Sequence, residues 1–149
     1  MNAADPGAIL KSARTVLLVD WPNSGVPRAL LSAGLAVYGS SPAGYSRAEL
    51  TTKRPAEAEG VNIVPLDGGF LVFARLKEAP ASVDIVSAFR PAGEMPGIVA
   101  AKVLPLRAKT LWLHPTIASP ESAALARHHG FQIVEGVDIG AAAVALRTA

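Results

Sequence analysis

Residues 83–117 hold the feature that most constrains the fold: two short apolar runs, each ending in a polar turn, with a stretch of helical period between them. The first run is Val83-Asp84-Ile85-Val86-Ser87-Ala88, followed by Phe89-Arg90-Pro91. The second is Lys109-Thr110-Leu111-Trp112-Leu113, followed by His114-Pro115-Thr116-Ile117. Apolar runs rich in β-branched residues and bounded by turn residues read as strands, and Met95, Ile98, Val99, Val103 and Leu106 fall on one helical face between them. Strand, crossover helix and strand make a βαβ unit, whose strands lie parallel and are covered on both faces. Phe89-Arg90-Pro91 and His114-Pro115-Thr116 then emerge at the carboxyl edge of one sheet, where open α/β sheets bind ligands.

The rest of the chain repeats this logic. Asp5-Pro6 is a start signal for a short helix over 6–13, and Thr15-Val16-Leu17-Leu18-Val19 is an apolar strand suited to the sheet centre. It runs into the turn-rich loop Asp20-Trp21-Pro22-Asn23-Ser24-Gly25, a helix over 26–33 ended by Gly34, and a strand Leu35-Ala36-Val37-Tyr38 closing at Gly39-Ser40-Ser41-Pro42. Over 43–60 the period weakens, which predicts an exposed excursion with a helical turn near 46–50. Val61-Asn62-Ile63-Val64-Pro65 and Phe70-Leu71-Val72-Phe73-Ala74 flank Asp67-Gly68-Gly69 as a β-hairpin, with Pro65 on an edge strand. Ser119-Pro120-Glu121 starts a helix whose last turn is Arg127-His128-His129 and whose stop is Gly130; Phe131-Gln132-Ile133-Val134 is a last strand and 140–148 a short helical tail. The expected architecture is a three-layer α/β sandwich: a parallel sheet, helices on both faces and a peripheral β-hairpin.

Composition narrows the chemistry. The chain has 149 residues, enough for one domain over 1–149 to bury its core without cross-links. It has no cysteine, which excludes disulfides, thiolate metal sites and cysteine nucleophiles. The net charge is +2, and the fourteen Lys and Arg are scattered singly, so nucleic acid is not an expected partner. No apolar run reaches the length of a membrane span, and Met1-Asn2-Ala3-Ala4-Asp5-Pro6 lacks the basic start and apolar core of a signal peptide. The expectation is a cytoplasmic protein with no membrane partner.

Several of these segments together resemble a known family. Gly34-Leu35-Ala36-Val37-Tyr38, Val83-Asp84-Ile85-Val86 ending in Phe89-Arg90-Pro91, Met95-Pro96-Gly97-Ile98-Val99, Ala108-Lys109-Thr110-Leu111-Trp112-Leu113 and the block 122–134 are similar to the small CoA-binding domain proteins. These are stand-alone Rossmann-like domains, related to the nucleotide-binding half of the succinyl-CoA synthetase α subunit. The similarity covers residues 14–134. It implies CoA across the carboxyl edge, with its phosphates near Pro22, Asn23 and Ser24 and near Ser40, Ser41 and Pro42. Phe89, Arg90 and Pro91 would line the pocket, and the loop His114, Pro115, Thr116, Ile117 would close it.

The chain departs from the family where phosphates would come closest. The family's first loop opens with a glycine, an apolar residue and a serine, whereas this chain has Asp20-Trp21-Pro22, a carboxylate and an indole on the approach. Residues 43–69 are also longer than the family's usual connection between second and third strands. Trp21 suits either stacking on adenine or covering the sheet edge, and Arg90 suits either an anion grip or an ion pair with Asp84, Glu94 or Asp20. His114 has no partner nucleophile in the sequence, and Asp20 lacks the second acid two residues on that an aspartyl phosphatase requires, because Pro22 stands there. His128 and His129 are adjacent, so a helix points them in different directions; no metal-ligand spacing exists. Three readings follow: a module for CoA or a related nucleotide without catalytic machinery; an interaction or scaffold domain that has lost the ligand and pairs as a homodimer; and a small metabolic enzyme using Asp20, Arg90 and His114.

Overall fold

The structure, a computed structural model, describes residues 5–58 and 61–148. Residues 1–4, read above for a targeting signal, residues 59–60 at the end of the excursion, and residue 149 lie outside the described residues. Helix α1 (Pro6–Ser12) is capped as expected, the Asp5 carboxylate accepting from the Ala8 amide at 3.3 Å. Strand β1 (Thr15–Val19), helix α2 (Gly25–Ser32) and strand β2 (Ala36–Ser41) form the first βαβ unit, and Gly34 takes the positive φ of 94° that lets the chain turn out of the helix. Next come β3 (Gly44–Thr51), β4 (Val61–Leu66), β5 (Gly69–Arg75) and β6 (Ile85–Ala88). Helix α3 (Met95–Ile98) continues into a wider π turn over Val99–Val103, and strand β7 (Thr110–Leu113) follows. Helix α4 (Pro120–His129), strand β8 (Gln132–Val134) and helix α5 (Ile139–Thr148) complete the order.

The eight strands make one mixed sheet in the order β4-β5-β3-β2-β1-β6-β7-β8. The five strands from β2 to β8 run parallel, with β1 hydrogen-bonded directly to β6, Leu17 opposite Val86. Beyond β2 the sheet turns antiparallel through β3, β5 and β4. Alternate strand residues feed two cores. Val16, Leu18, Val37, Ile85 and Trp112 meet α1, α2 and α5 on one face; Leu17, Val86, Leu111 and Leu113 meet Met95, Ile98, Val99 and Val103 on the other. Trp112 is fully buried, and its indole N–H donates to the Val137 carbonyl at 2.8 Å, which makes the burial of its one polar group affordable.

Three expectations are corrected. Residues 46–50 are not a helical turn but the middle of β3, and β2 does not close at Gly39 but continues through Ser41 into a tight turn at Pro42-Ala43. Only Ala48 of β3 is buried, so its own pattern is almost silent; what decides it is pairing on both sides, with β2 and with β5. Ladder hydrogen bonds from two neighbours outweigh a weak local preference. The hairpin is as expected, with Gly68 at φ 80° in the turn and Pro65 on the sheet's edge strand, and β3 joins it to the main sheet. The two histidines ending α4 also meet rather than part, their rings 4.7 Å apart at 85°.

Candidate functional site

Successive parallel strands run outward from β1 in one direction to β2 and in the other to β6, β7 and β8, so the order reverses between β1 and β6. The carboxyl ends of strands at such a reversal splay their following loops apart and leave a crevice. Here it is a cleft of about 600 Å³ between the loops after β1, β6 and β7, lined by Asp20, Phe89, Arg90, Pro91, Thr116 and Ile117 among others. Six of the residues expected at the site are thereby brought together.

Arg90 occupies the centre of that cleft's polar side. Its Nη1 donates to Asp20 Oδ2 at 3.2 Å, and its Nε and Nη2 donate to the two oxygens of Glu94 at 3.2 and 2.9 Å. The two carboxylates, Glu94 foremost and Asp20 next, push the guanidinium pKa still higher, so it stays a cation at every accessible pH. One cation between two carboxylates leaves the cluster with a net negative charge. Arg90 therefore pairs with Asp20 and Glu94; Asp84, the third expected partner, lies at the opposite end of the sheet.

Asp20 itself has φ 64°, a left-handed backbone that glycine adopts freely and aspartate tolerates. Its other oxygen accepts from the Trp21 amide at 2.8 Å. So the first position after β1 keeps a backbone shape that favours glycine. It carries a carboxylate instead.

Phe89 meets the ring of His114, which does not itself line the cleft, edge-on at 4.6 Å. The Thr116 amide donates to His114 Nδ1 at 3.2 Å and the Thr116 hydroxyl lies 2.8 Å from the same nitrogen. An Nδ1 that accepts from an amide carries no proton, which leaves the proton of the neutral ring on Nε2. His114 thus braces the loop through Thr116, while Pro115 is exposed and likewise outside the cleft's lining.

The remaining expected residues are not in this cleft. Trp21 turns to the other side of β1 and stacks on Phe73, ring centroids 5.0 Å apart at 17°. It lies against Gly39, where an added Cβ would stand 3.4 Å from the indole and 2.8 Å from Ser46 Oγ. Ser40 stays inside β2 opposite Val19, Pro42 sits in the turn to β3, and Ser41 lines a second cleft with Trp21. Asn23 caps the start of α2 from within, its side chain accepting from the Gly25 amide at 2.9 Å and its carbonyl from Val26 at 3.3 Å. Ser24 holds the N-cap position without a side-chain bond, and Pro22 is exposed. Sequence reasoning missed the second cleft's Tyr45, Asn62 and Arg75, because their segment read as excursion and hairpin; the strand signal running up to Arg75 was the one available clue.

An α/β module with its crevice at a strand-order reversal is a ligand-binding architecture, and comparison with known proteins agrees. The profile described as CoA binding domain matches residues 21–140, and the chain belongs to that family. Among solved structures, the cell-free ID.343 protein from Thermus thermophilus is 22% identical, with 93% of this chain and 94% of that chain covered and a TM-score of 0.63. Prb, a PH1109 protein redesigned for binding, is 18% identical, with 97% and 91% covered and a TM-score of 0.66. These two likenesses establish the shared fold. Among the described residues, no helix is long and apolar enough to cross a membrane, and no three acidic or histidine side chains gather where a metal could be held.

Proposed function

We propose that the chain is a binding module for CoA or a related nucleotide, without catalytic machinery of its own, acting as one domain in the cytoplasm. The observation that carries this reading is the cleft at the β1–β6 reversal in a member of the CoA binding domain family. Its walls fit a long, part-polar ligand: Phe89, Pro91 and Ile117 offer apolar surface, and Arg90 offers a fork of donors suited to phosphate. When bound, CoA supplies a thiol handle, and the residues described here only hold and orient it. To grip a phosphate, Arg90 must exchange Asp20 for the ligand, so affinity is set by that exchange. Calorimetry of the purified protein with CoA tests the reading, with Arg90→Gln as the control. Saturable binding that the substitution weakens supports it; no binding by the wild type or by Asp20→Gly overturns it.

A second reading, an interaction domain that has lost the ligand and pairs as a homodimer, is favoured by one specific observation. Both anion-gripping devices are already occupied from within: Arg90 by Asp20 and Glu94, and the first amides of α2 by Asn23. Absence of nucleotide binding together with a dimer in sedimentation would favour this reading over the first.

A further inference from the structure

The second cleft lies on the opposite side of β1 from the first, because the left-handed turn at Asp20 sends two successive side chains apart: Asp20 towards β6, Trp21 towards β2 and β3. It has a volume of about 310 Å³, within the range of small-molecule sites. One wall is aromatic, the Trp21–Phe73 stack held close to the sheet by the bare Cα of Gly39. Its polar lining residues are Ser41, Ser46, Asn62 and Tyr45, whose hydroxyl accepts from Lys102 at 2.9 Å, and its single charged lining residue is Arg75. Arg75 donates one bond, 2.9 Å, to the carbonyl of Ala43, a lining residue of the same cleft. Among the described residues it has no ion pair, in contrast to Arg90, which has two.

An aromatic wall beside a guanidinium with no ion-pair partner is complementary to a flat ring that bears an anion. We propose that this cleft is a second binding site, for a small aromatic carboxylate, with Trp21 and Phe73 contacting the ring and Arg75 holding the carboxylate through its free N–H groups. None of the residues that grip a ligand here lines the cleft at the β1–β6 reversal, although Trp21 and Ser41 are among the residues that the family resemblance assigns to CoA. The antiparallel strands β3, β4 and β5, which supply most of its lining, create it.

Trp21 is a built-in reporter. Trp112, the other tryptophan, is fully buried and cannot meet a ligand, so a ligand-dependent change in emission comes from Trp21. The full chain is titrated with benzoate, with acetate (the anion alone) and with benzamide (the ring alone). Benzoate is expected to change the emission saturably, acetate not at all, and benzamide at least about tenfold more weakly, the loss typical of one charge-assisted contact. Arg75→Gln, an exposed strand substitution, should weaken benzoate to the level of benzamide while leaving benzamide unchanged. Amide shifts in NMR should cluster at Trp21, Ser46 and Phe73. The proposal is overturned if benzoate gives no saturable change, if Arg75→Gln binds benzoate as well as the wild type does, or if the shifts centre on Phe89 and Ile117. Because CoA is absent from every arm, failure here leaves the CoA reading intact, and failure of CoA to bind leaves this site intact.

Discussion

The two ends of the β1–β6 strand pair use an aspartate in opposite ways. At the amino end, Asp84 Oδ2 accepts from the amides of Arg14 and Thr15 at 2.8 and 3.1 Å and from the Thr15 hydroxyl, which in turn accepts from the Asp84 amide. Burial alone would raise its pKa, but those bonds outweigh it and, with Lys109 nearby, hold the carboxyl below its usual range. At the carboxyl end, Asp20 is exposed, sits on a left-handed backbone and is committed to a side chain that has another carboxylate to turn to. A carboxylate bonded to backbone amides of the neighbouring strand ties strand to strand, whereas one bonded to an exposed guanidinium can exchange its partner without disturbing the sheet. The pair is pinned at one end and left open at the other, which is the division a carboxyl-edge binding site needs.

Removing each aspartate gives the largest test of this contrast. Asp84→Ala leaves the amides of Arg14 and Thr15 without their charged acceptor and should destabilise the fold by about 3 kcal/mol. Asp20→Ala should stay within about 1 kcal/mol, as a surface change. Urea denaturation of the two variants measures both; equal losses would break the comparison.

Acid should separate the two ends next. A carboxyl whose folded pKa is depressed contributes stability that is fully present above its unfolded value, about 3.9, and is lost as pH falls through the folded value. Wild type should therefore lose more stability than Asp84→Asn as pH falls from about 5 to about 3, the gap between them narrowing. Urea midpoints across that range report it. A constant gap would mean that the Asp84 carboxylate contributes through its shape and not its charge.

A smaller effect is expected on ligand affinity at the open end. A carboxylate about 4 Å from a phosphate costs on the order of 4 kcal/mol at an effective dielectric near 20, and exposure and the Arg90 partner should leave about a quarter of it. Asp20→Gly should accordingly strengthen CoA binding several-fold in calorimetry, while the left-handed backbone accepts glycine without strain. Unchanged affinity in a folded variant would show that Asp20 does not face the phosphates. The smallest change belongs to Asp20→Asn, which keeps a side chain suited to positive φ and should alter thermal stability by less than about 0.5 kcal/mol.

Most of the parallel half was legible in the residues. β1, β6 and β7 are short, apolar and bounded by turn residues, and parallel strands buried on both faces must look that way. The caps at Asp5 and Ser119 and the stops at Gly34 and Gly130 were legible for a local reason: each satisfies or releases backbone within a few residues. Of the site, Phe89, Arg90, Pro91, Thr116 and Ile117 could be placed together, since strand ends in βαβ units share one edge.

What the sequence by itself determined, then, is the parallel core, its carboxyl edge and the residue types that line it, because hydrophobic period and capping chemistry act over short distances. The tertiary structure alone decided that β3 is a strand, that Trp21 and Asp20 face different clefts, and that Arg90 chooses Asp20 and Glu94. Apart from the local Arg90–Glu94 pair, each of those outcomes depends on a partner far along the chain: Phe73 opposite Ala48 and under Trp21, and Asp20 reaching Arg90 across the β1–β6 crevice. Sheet pairing and side-chain direction at a turn are settled by which surfaces meet, and a local pattern does not encode that meeting.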